Sequence, residues 1–111
     1  MCYIYLLHFE EPINPDHPCQ HYTGSAADLS ARIQQHQAGQ RERCVLTAVA
    51  KERDIRFKVA RVWRGGRDAE RRLKSWKNGR ALCPICSDRP LNVRDLQELS
   101  EHEIEQALMP F

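Results

Sequence analysis

The amino-acid sequence predicts an α+β domain in which helices pack against a small antiparallel sheet of about three strands. Three observations predict it: an aromatic-rich apolar run at the N-terminus, a stretch of alternating apolar and basic residues in the middle, and amphipathic segments around them. The chain has 111 residues. That is the length of one domain, since typical domains hold roughly 100–200 residues.

The first two predicted strands form an antiparallel hairpin. Residues 2–9 (CYIYLLHF) hold the aromatic and aliphatic side chains typical of a strand, and residues 19–23 (CQHYT) predict a second one. Prolines make residues 10–18 a loop between them. A third strand is predicted over residues 55–63, because apolar side chains recur there with period two. One face of that strand would carry Ile55, Phe57, Val59, Arg61 and Trp63.

A first helix is predicted directly after the hairpin. Ser25 is a favourable N-cap with Asp28 three positions later, and Gly39 supplies the stop. Its buried stripe would consist of Ala26, Leu29, Ile33 and Ala38. Residues 45–49 (VLTAV) fit either a short strand or a helical turn.

Two more helices are predicted in the C-terminal half. A glycine pair ends the third strand, and residues 67–78 then predict a helix that ends at Gly79. Residues 83–92 predict a loop, and residues 94–108 predict an acidic helix. The inward-facing residues of these two helices would be Ala69, Leu73 and Trp76, and then Leu96, Leu99, Ile104 and Leu108.

Basic residues are concentrated in the middle of the chain. Residues 51–82 hold 12 Lys or Arg against four acids, a net charge of +8. Residues 1–50 carry a net charge of −2 and residues 83–111 one of −4. A basic segment between acidic ends favours a surface that binds a polyanion such as nucleic acid. The alternative is a basic middle that pairs with the acidic C-terminal tail.

Signals for secretion and membrane insertion are missing from the sequence. The N-terminal apolar run ends at His8 and no basic residue precedes it, so it predicts a strand and not a signal peptide. No stretch approaches the roughly 18 apolar residues that span a bilayer. We therefore expect a protein of the reducing cytoplasm. Five cysteines, an odd number, favour free thiols or a metal site over a disulfide framework.

The order of several motifs resembles the GIY-YIG nuclease superfamily. Residues 3–5 (YIY) lie in the first predicted strand, and residues 22–24 (YTG) end the second. An L-x-x-R-x-x-x-H segment follows with Arg32 and His36, and Glu70 begins the segment ERRLK of a later helix. The resemblance implies an antiparallel sheet flanked by helices and the hydrolysis of phosphodiester bonds in nucleic acid.

This resemblance spans residues 2–77, with three departures from the family pattern. Tyr3 stands where the family has glycine, and Thr23 stands where it has isoleucine. The family often carries an asparagine after its glutamate, for which Asn78 is the nearest candidate. We assign a nuclease-like domain to residues 1–82, with the C-terminal loop and acidic helix packed on it.

Phosphodiester hydrolysis needs an activated water, stabilisation of the charge on phosphate oxygens and a neutralised leaving group. A hard cation such as Mg²⁺ or Mn²⁺ prefers oxygen ligands, so one carboxylate and the substrate phosphate can hold it. The resemblance implies that Glu70 is this carboxylate. The alternative for Glu70 is an i,i+4 ion pair with Lys74, worth about 0.2–0.5 kcal/mol.

Arg32, His36 and two lysines are the cationic candidates. The resemblance implies that the planar guanidinium of Arg32 binds the scissile phosphate. His36 lies one turn further on the same helix face, where it would contact phosphate, orient a tyrosine or remain a surface histidine. Lys74 and Lys77 would bind phosphate or stay solvated on the exposed side of the glutamate helix.

Tyr5 and Tyr22 would meet across the hairpin. The resemblance implies that Tyr5 is a general base or proton relay for the attacking water and that Tyr22 positions water or phosphate. A tyrosine has a pKa near 10, so we expect nearby Arg and Lys side chains to lower it. The alternative for both rings is core packing.

The C-x-x-C pair Cys83 and Cys86 supplies two of the four ligands that a structural zinc ion requires. The missing ligands would come from Cys19 with His17 or His21, or from Cys44. The alternatives are two small residues at a turn or, with less support from the surrounding pattern, a redox pair.

We therefore expect a Mg²⁺- or Mn²⁺-dependent endonuclease that acts on DNA through Tyr5, Tyr22, Arg32 and Glu70, with RNA as a further substrate to test. Two alternatives stay open. One is a nucleic-acid-binding module without efficient catalysis, and the other is a zinc-stabilised interaction protein.

Overall fold

One antiparallel sheet lies between two layers of helices. The computed structural model describes residues 2–13, 20–40, 44–76 and 79–109. In these ranges the strands are β1 (Tyr3–Phe9), β2 (His21–Ala26), β3 (Phe57–Arg64) and β4 (Gln97–Glu98), paired in the order β2-β1-β3-β4. The α+β class and the small antiparallel sheet are therefore confirmed, with a two-residue fourth strand added at one edge.

Helices cover both faces of the sheet. They are α1 (Leu29–Gln37), α2 (Val45–Glu52), α3 (Arg67–Ser75), α4 (Gly79–Leu82) and α5 (Glu101–Leu108). Apolar residues of α1, α2 and α5 share one core cluster with Tyr5, Leu7 and Phe9 of β1. Residues of α3 and α4 share a second cluster with Ile4 and Leu6. Because both faces are covered, β1 is buried from Ile4 to Phe9.

Side chains of β3 alternate between the two faces of the sheet, and a β-bulge interrupts this alternation. Leu6 pairs with Arg61 and Leu7 pairs with Val59, so Ala60 is the extra residue. A bulge reverses which face the following side chains point to. Trp63 therefore packs with Ile4 and Leu6 on the face opposite Phe57 and Val59, and the prediction that it shares their face was wrong.

The start of α1 differs from the prediction. β2 continues through Ser25 and Ala26, which pair with Ile4 and Tyr3, so the ladder extends beyond the expected break. The N-cap is Asp28, whose side chain accepts a hydrogen bond from the Ala31 amide. Gly39, with φ of 68°, follows the end of α1 as expected. Residues 45–49, left open by the sequence, belong to α2.

The boundaries of α3 and α5 also differ from the expectation. α3 ends at Ser75, and Gly79 begins α4, whereas the sequence predicted one helix up to Gly79. Trp76 is 40% exposed, not inward-facing. The acidic helix is restricted to α5, because Ser100 and Glu103 form a capping box at its start. No helix in the described ranges is long and apolar enough to cross a membrane.

Candidate functional site

A cleft opens over the edge strand β2, between α1 on one face of the sheet and α3 on the other. Its volume is about 350 Å³. The lining residues are Tyr22, Ser25, Arg32, Arg67, Glu70, Arg71 and Lys74. Four residues that the sequence singled out, Tyr22, Arg32, Glu70 and Lys74, thus lie around one cavity although they come from three elements.

Glu70 lies in the first turn of α3, and its carboxylate faces this cleft. Its Oε2 accepts a hydrogen bond from Oγ of Ser25 at 3.4 Å. Its Oε1 lies 3.6 Å from Nζ of Lys74, and the Glu70 side chain is 15% exposed. The i,i+4 ion pair therefore exists, and the same carboxylate is also directed at the cavity.

Arg32 approaches the cleft from α1. Its Nη1 donates a hydrogen bond to the carbonyl oxygen of Ser25 at 3.3 Å. Ser25 thus connects Arg32 and Glu70, which reach the edge strand from opposite faces of the sheet. Ser25 was not predicted as a site residue, because its features as an N-cap predicted a helix start at that position.

Two tyrosines and a histidine form a group of rings beside Arg32. The ring centroids of Tyr5 and Tyr22 are 6.3 Å apart, and His36 lies 5.6 Å from each of them. Gly24 makes this approach possible, since a Cβ there would lie 2.5 Å from the Tyr5 hydroxyl. His36 is only 2% exposed, so the alternative of a surface histidine was wrong.

A chain of hydrogen bonds holds Tyr5 below the cleft. The hydroxyl of Thr47 donates to the carbonyl oxygen of Cys44 at 3.2 Å, and it lies 3.1 Å from Nδ1 of His36. Nδ1 is therefore the protonated nitrogen, which leaves Nε2 to accept the Tyr5 hydroxyl at 2.7 Å. Tyr5 is fully buried, whereas Tyr22 lines the cleft.

Burial is the largest influence on the pKa values of Tyr5, Tyr22 and His36. It raises the pKa of Tyr5 well above its ordinary value and that of Tyr22 to about 12, although Arg32 pulls both pKa values down. Burial, assisted by the charge of Arg32, lowers the pKa of His36 to about 4. The expectation that cations lower the tyrosine pKa values is not met, so both phenols are neutral at neutral pH.

The cleft is strongly cationic. Around the single carboxylate of Glu70 it gathers Arg67, Arg71 and Lys74 from α3, with Arg32 opposite. Arg67 and Arg71 were not among the site residues predicted from the sequence. A signal was present, because positions 67, 70, 71 and 74 follow the i, i+3, i+4, i+7 spacing of one helix face.

Part of the basic segment pairs with the acidic tail, as the alternative interpretation proposed. The ion pairs are Arg61–Glu98, Arg64–Glu103 and Arg72–Asp95. Arg61 is buried, stacks over the Trp63 ring and donates to the carbonyl oxygens of Leu82 and Leu91. The segment therefore divides between cations that face the cleft and cations that hold the C-terminal region on the sheet.

Cys83 and Cys86 lie on the α3 side of the sheet, against His8 and His21. His21 was one of the partners proposed from the sequence. Cys44 was another, but it caps α2 at the opposite face of the sheet, on the side of Tyr22. Four further candidates lie outside the described residues: His17, Cys19, Lys77 and Asn78.

Comparison with known proteins identifies a family for this chain. The model of the GIY-YIG catalytic domain matches residues 1–82, which is most of the 111-residue chain. No curated protein and no solved structure gives a significant match. The matched range includes the hairpin, α1 and α3, the elements that bring Tyr22, Arg32 and Glu70 to one cleft. The chain therefore belongs to the GIY-YIG catalytic domain family, a family of nucleases.

Proposed function

We propose that this protein is a metal-dependent endonuclease that hydrolyses DNA at the β2-edge cleft. One observation carries the proposal: a single shielded carboxylate, Glu70, faces a cavity that also contains Tyr22, Arg32 and three further cations. The cationic lining suits the DNA backbone, since phosphate contacts supply most of the affinity of nucleic-acid-binding proteins. RNA has the same phosphates, so it is expected to bind the same cleft.

The donor set around Glu70 fits a hard divalent cation. A polar neighbour on the edge strand is the hydroxyl of Ser25, whose oxygen is also a hard ligand atom. Mg²⁺ and Mn²⁺ are held in this way, by one or two carboxylates with water and substrate phosphate completing the shell. The ammonium of Lys74 would compete with the cation for Glu70, but it is half-exposed and 3.6 Å from the carboxylate. An ion pair of this kind is weak. When bound, the cation would polarise the phosphate and make water more acidic.

Arg32 is the residue that binds the scissile phosphate in this proposal. Its hydrogen bond to the Ser25 carbonyl fixes the guanidinium beside Glu70 before substrate arrives. A preorganised donor stabilises charge that develops in the transition state without the cost of reorientation. Arg67 and Arg71, one helical turn apart on α3, would bind the adjoining backbone phosphates.

The two tyrosines take different roles. Tyr22 lines the cleft as a neutral phenol, so it would orient the attacking water or a phosphate oxygen by hydrogen bonding. Tyr5 is buried beneath it with its hydroxyl on His36. We therefore propose that Tyr5 and His36 are positioning residues that hold Tyr22 and Arg32, in place of the direct role for Tyr5 implied by the resemblance.

The proposal is tested by incubating the protein with supercoiled plasmid and Mg²⁺ or Mn²⁺, with EDTA as the blank. We expect metal-dependent nicking with 5′-phosphate and 3′-hydroxyl ends, since one site cuts one strand. Glu70→Gln should lower the rate by at least about 100-fold, whereas Glu105→Gln on α5 should leave it unchanged. Calorimetry should show that Glu70→Gln also weakens Mn²⁺ binding. Full cleavage by Glu70→Gln would overturn the proposal.

The burial of Tyr5 favours a second candidate, a nucleic-acid-binding module without catalysis. A phenol that is fully buried and already hydrogen-bonded to His36 does not reach substrate without rearrangement. This candidate predicts salt-dependent DNA binding with no strand cleavage under Mg²⁺, Mn²⁺ or any other divalent ion. The plasmid experiment therefore separates the two.

A further inference from the structure

Four side chains with nitrogen or sulfur donors meet on the side of the sheet opposite Tyr5. His8 of β1 and His21 of β2 are direct cross-strand partners in the hairpin. Cys83 follows α4, and Cys86 lies three residues later in the turn. One donor atom from each of the four residues lies within 4.8 Å of the other three.

Four of the six donor–donor distances within this cluster match a tetrahedral metal centre. Nδ1 of His8 lies 3.2 Å from Nε2 of His21 and 3.5 Å from the sulfur of each cysteine. The sulfur of Cys86 lies 3.4 Å from Nε2 of His21. A tetrahedral zinc ion with ordinary bond lengths requires nitrogen atoms about 3.3 Å apart and nitrogen and sulfur about 3.6 Å apart.

Hydrogen bonding alone does not account for the convergence. An imidazole Nδ1 offers either one N–H or one lone pair, yet three heteroatoms lie within 3.5 Å of Nδ1 of His8. No disulfide uses the sulfurs, because Cys83 and Cys86 are both free. Several lone pairs directed at one point in a partly buried site are stabilised by a cation at that point.

We propose that His8, His21, Cys83 and Cys86 bind a structural zinc ion. Two thiolates and two imidazoles form the Cys₂His₂ set that zinc prefers, whereas Mg²⁺ and Mn²⁺ select oxygen donors. Four protein ligands leave no open position for water or substrate, so the site is structural and not catalytic. It is therefore chemically distinct from the cleft around Glu70.

Such an ion would fasten the segment after α4 to the β1–β2 hairpin. The start of α4 already lies close to the hairpin. A Cβ added at Gly79, the first residue of α4, would lie 2.9 Å from Cβ of His21. Cys83 and Cys86 come directly after residue 82, where the match to the catalytic domain ends. The zinc site would thus join two residues of the matched domain, His8 and His21, to two residues beyond it, and would support the strand that carries Tyr22.

Elemental analysis of the full chain, purified under reducing conditions without chelator, tests the proposal. We expect one zinc ion per chain, removal of that ion by a strong chelator, and a lower Tm that added zinc restores. Co²⁺ titrated into the metal-free chain should give the visible absorption of a tetrahedral cobalt–thiolate centre. This titration uses the wild-type chain, so it does not depend on whether a variant folds.

Variants identify the ligands. Cys86→Ser and His21→Asn change half-buried residues and should abolish zinc retention and the cobalt spectrum, whereas Cys2→Ser, at an exposed free cysteine, should keep both. Glu70→Gln should also keep its zinc, which separates this site from the proposed nuclease site. A chain that is folded without metal and whose Tm does not change when zinc is added would refute the proposal. A disulfide between Cys83 and Cys86 in the purified protein would also refute it, as would full zinc retention by both ligand variants.

Discussion

The hydroxyl oxygen of Tyr5 lies 2.7 Å from Nε2 of His36, inside the core. This contact joins the central strand β1 to α1, the helix that carries Arg32. Because Thr47 fixes which nitrogen of His36 is protonated, the tyrosine is the donor and the histidine is the acceptor. The geometry beneath the cleft therefore depends on one buried neutral hydrogen bond.

Removing that hydroxyl should destabilise the protein. Tyr5→Phe leaves Nε2 of His36 buried without a donor, which costs about 1–3 kcal/mol. Tyr3→Phe is the matched control on the same strand, because the half-buried Tyr3 ring keeps its contact with the Arg64 guanidinium when the hydroxyl is removed. Urea unfolding measures both. Equal unfolding free energies for the two variants would contradict the importance of the His36 contact.

Burial of His36 should also make stability depend on pH. Its pKa is lowered to about 4 in the folded protein, whereas an unfolded histidine titrates near pH 6.5. As the pH falls from about 6.5 to about 4, the unfolded chain takes up a proton that the folded chain does not. The free energy of unfolding should therefore fall with pH across this window, and the His36 contribution should be constant above it. Urea unfolding between about pH 7 and 4.5 should show a smaller slope for His36→Gln than for the wild type.

Gly24 should not tolerate a side chain. A Cβ at this position would lie 2.5 Å from the Tyr5 hydroxyl and 2.9 Å from the Tyr22 ring. Gly24→Ala should therefore cost about 1–3 kcal/mol by overpacking. Gly66→Ala is the control, because a Cβ there meets no atom within 4 Å, and its cost at an N-cap should stay below about 1 kcal/mol. Similar unfolding midpoints for the two variants would show that the tyrosines move aside freely.

The sequence predicts those parts of the molecule whose signals are local. The aromatic and aliphatic run at residues 2–9 predicted β1, and the resemblance of the motifs to a nuclease family singled out Tyr22, Arg32 and Glu70, which share the cleft. The start of α1 was misplaced because pairing of Ser25 and Ala26 with β1 outweighs the capping preference of Ser25. Local propensity does not include the free energy of such ladder pairing.

Long-range register explains what the sequence could not predict. His8 and His21 are 13 positions apart, and only the strand register makes them neighbours above Cys83. The bulge at Ala60 likewise moves Trp63 to the other face, and alternation alone does not reveal a bulge. Both features depend on which residues pair across strands.

Two adjacent arginines of α3 test how the basic segment is divided. Arg71 lines the cleft, whereas Arg72 points away and pairs with Asp95. Arg71→Ala should weaken binding to duplex DNA and reduce the slope of log Kd against log salt by about one, because one phosphate contact is lost. Arg72→Ala should leave the slope unchanged, since its charge is already matched by Asp95.

Fluorescence anisotropy over a range of salt concentrations, with EDTA present to prevent cleavage, gives both slopes. If the Arg72 variant lost as much slope as the Arg71 variant, DNA would contact the surface beside Asp95, and the cleft would not be the binding surface. If neither variant changed the slope, α3 would not contact the DNA backbone at either position. DNA binding in the cleft therefore requires that Arg71→Ala reduce the slope more than Arg72→Ala does. The two guanidiniums carry the same charge and differ only in the direction in which they point.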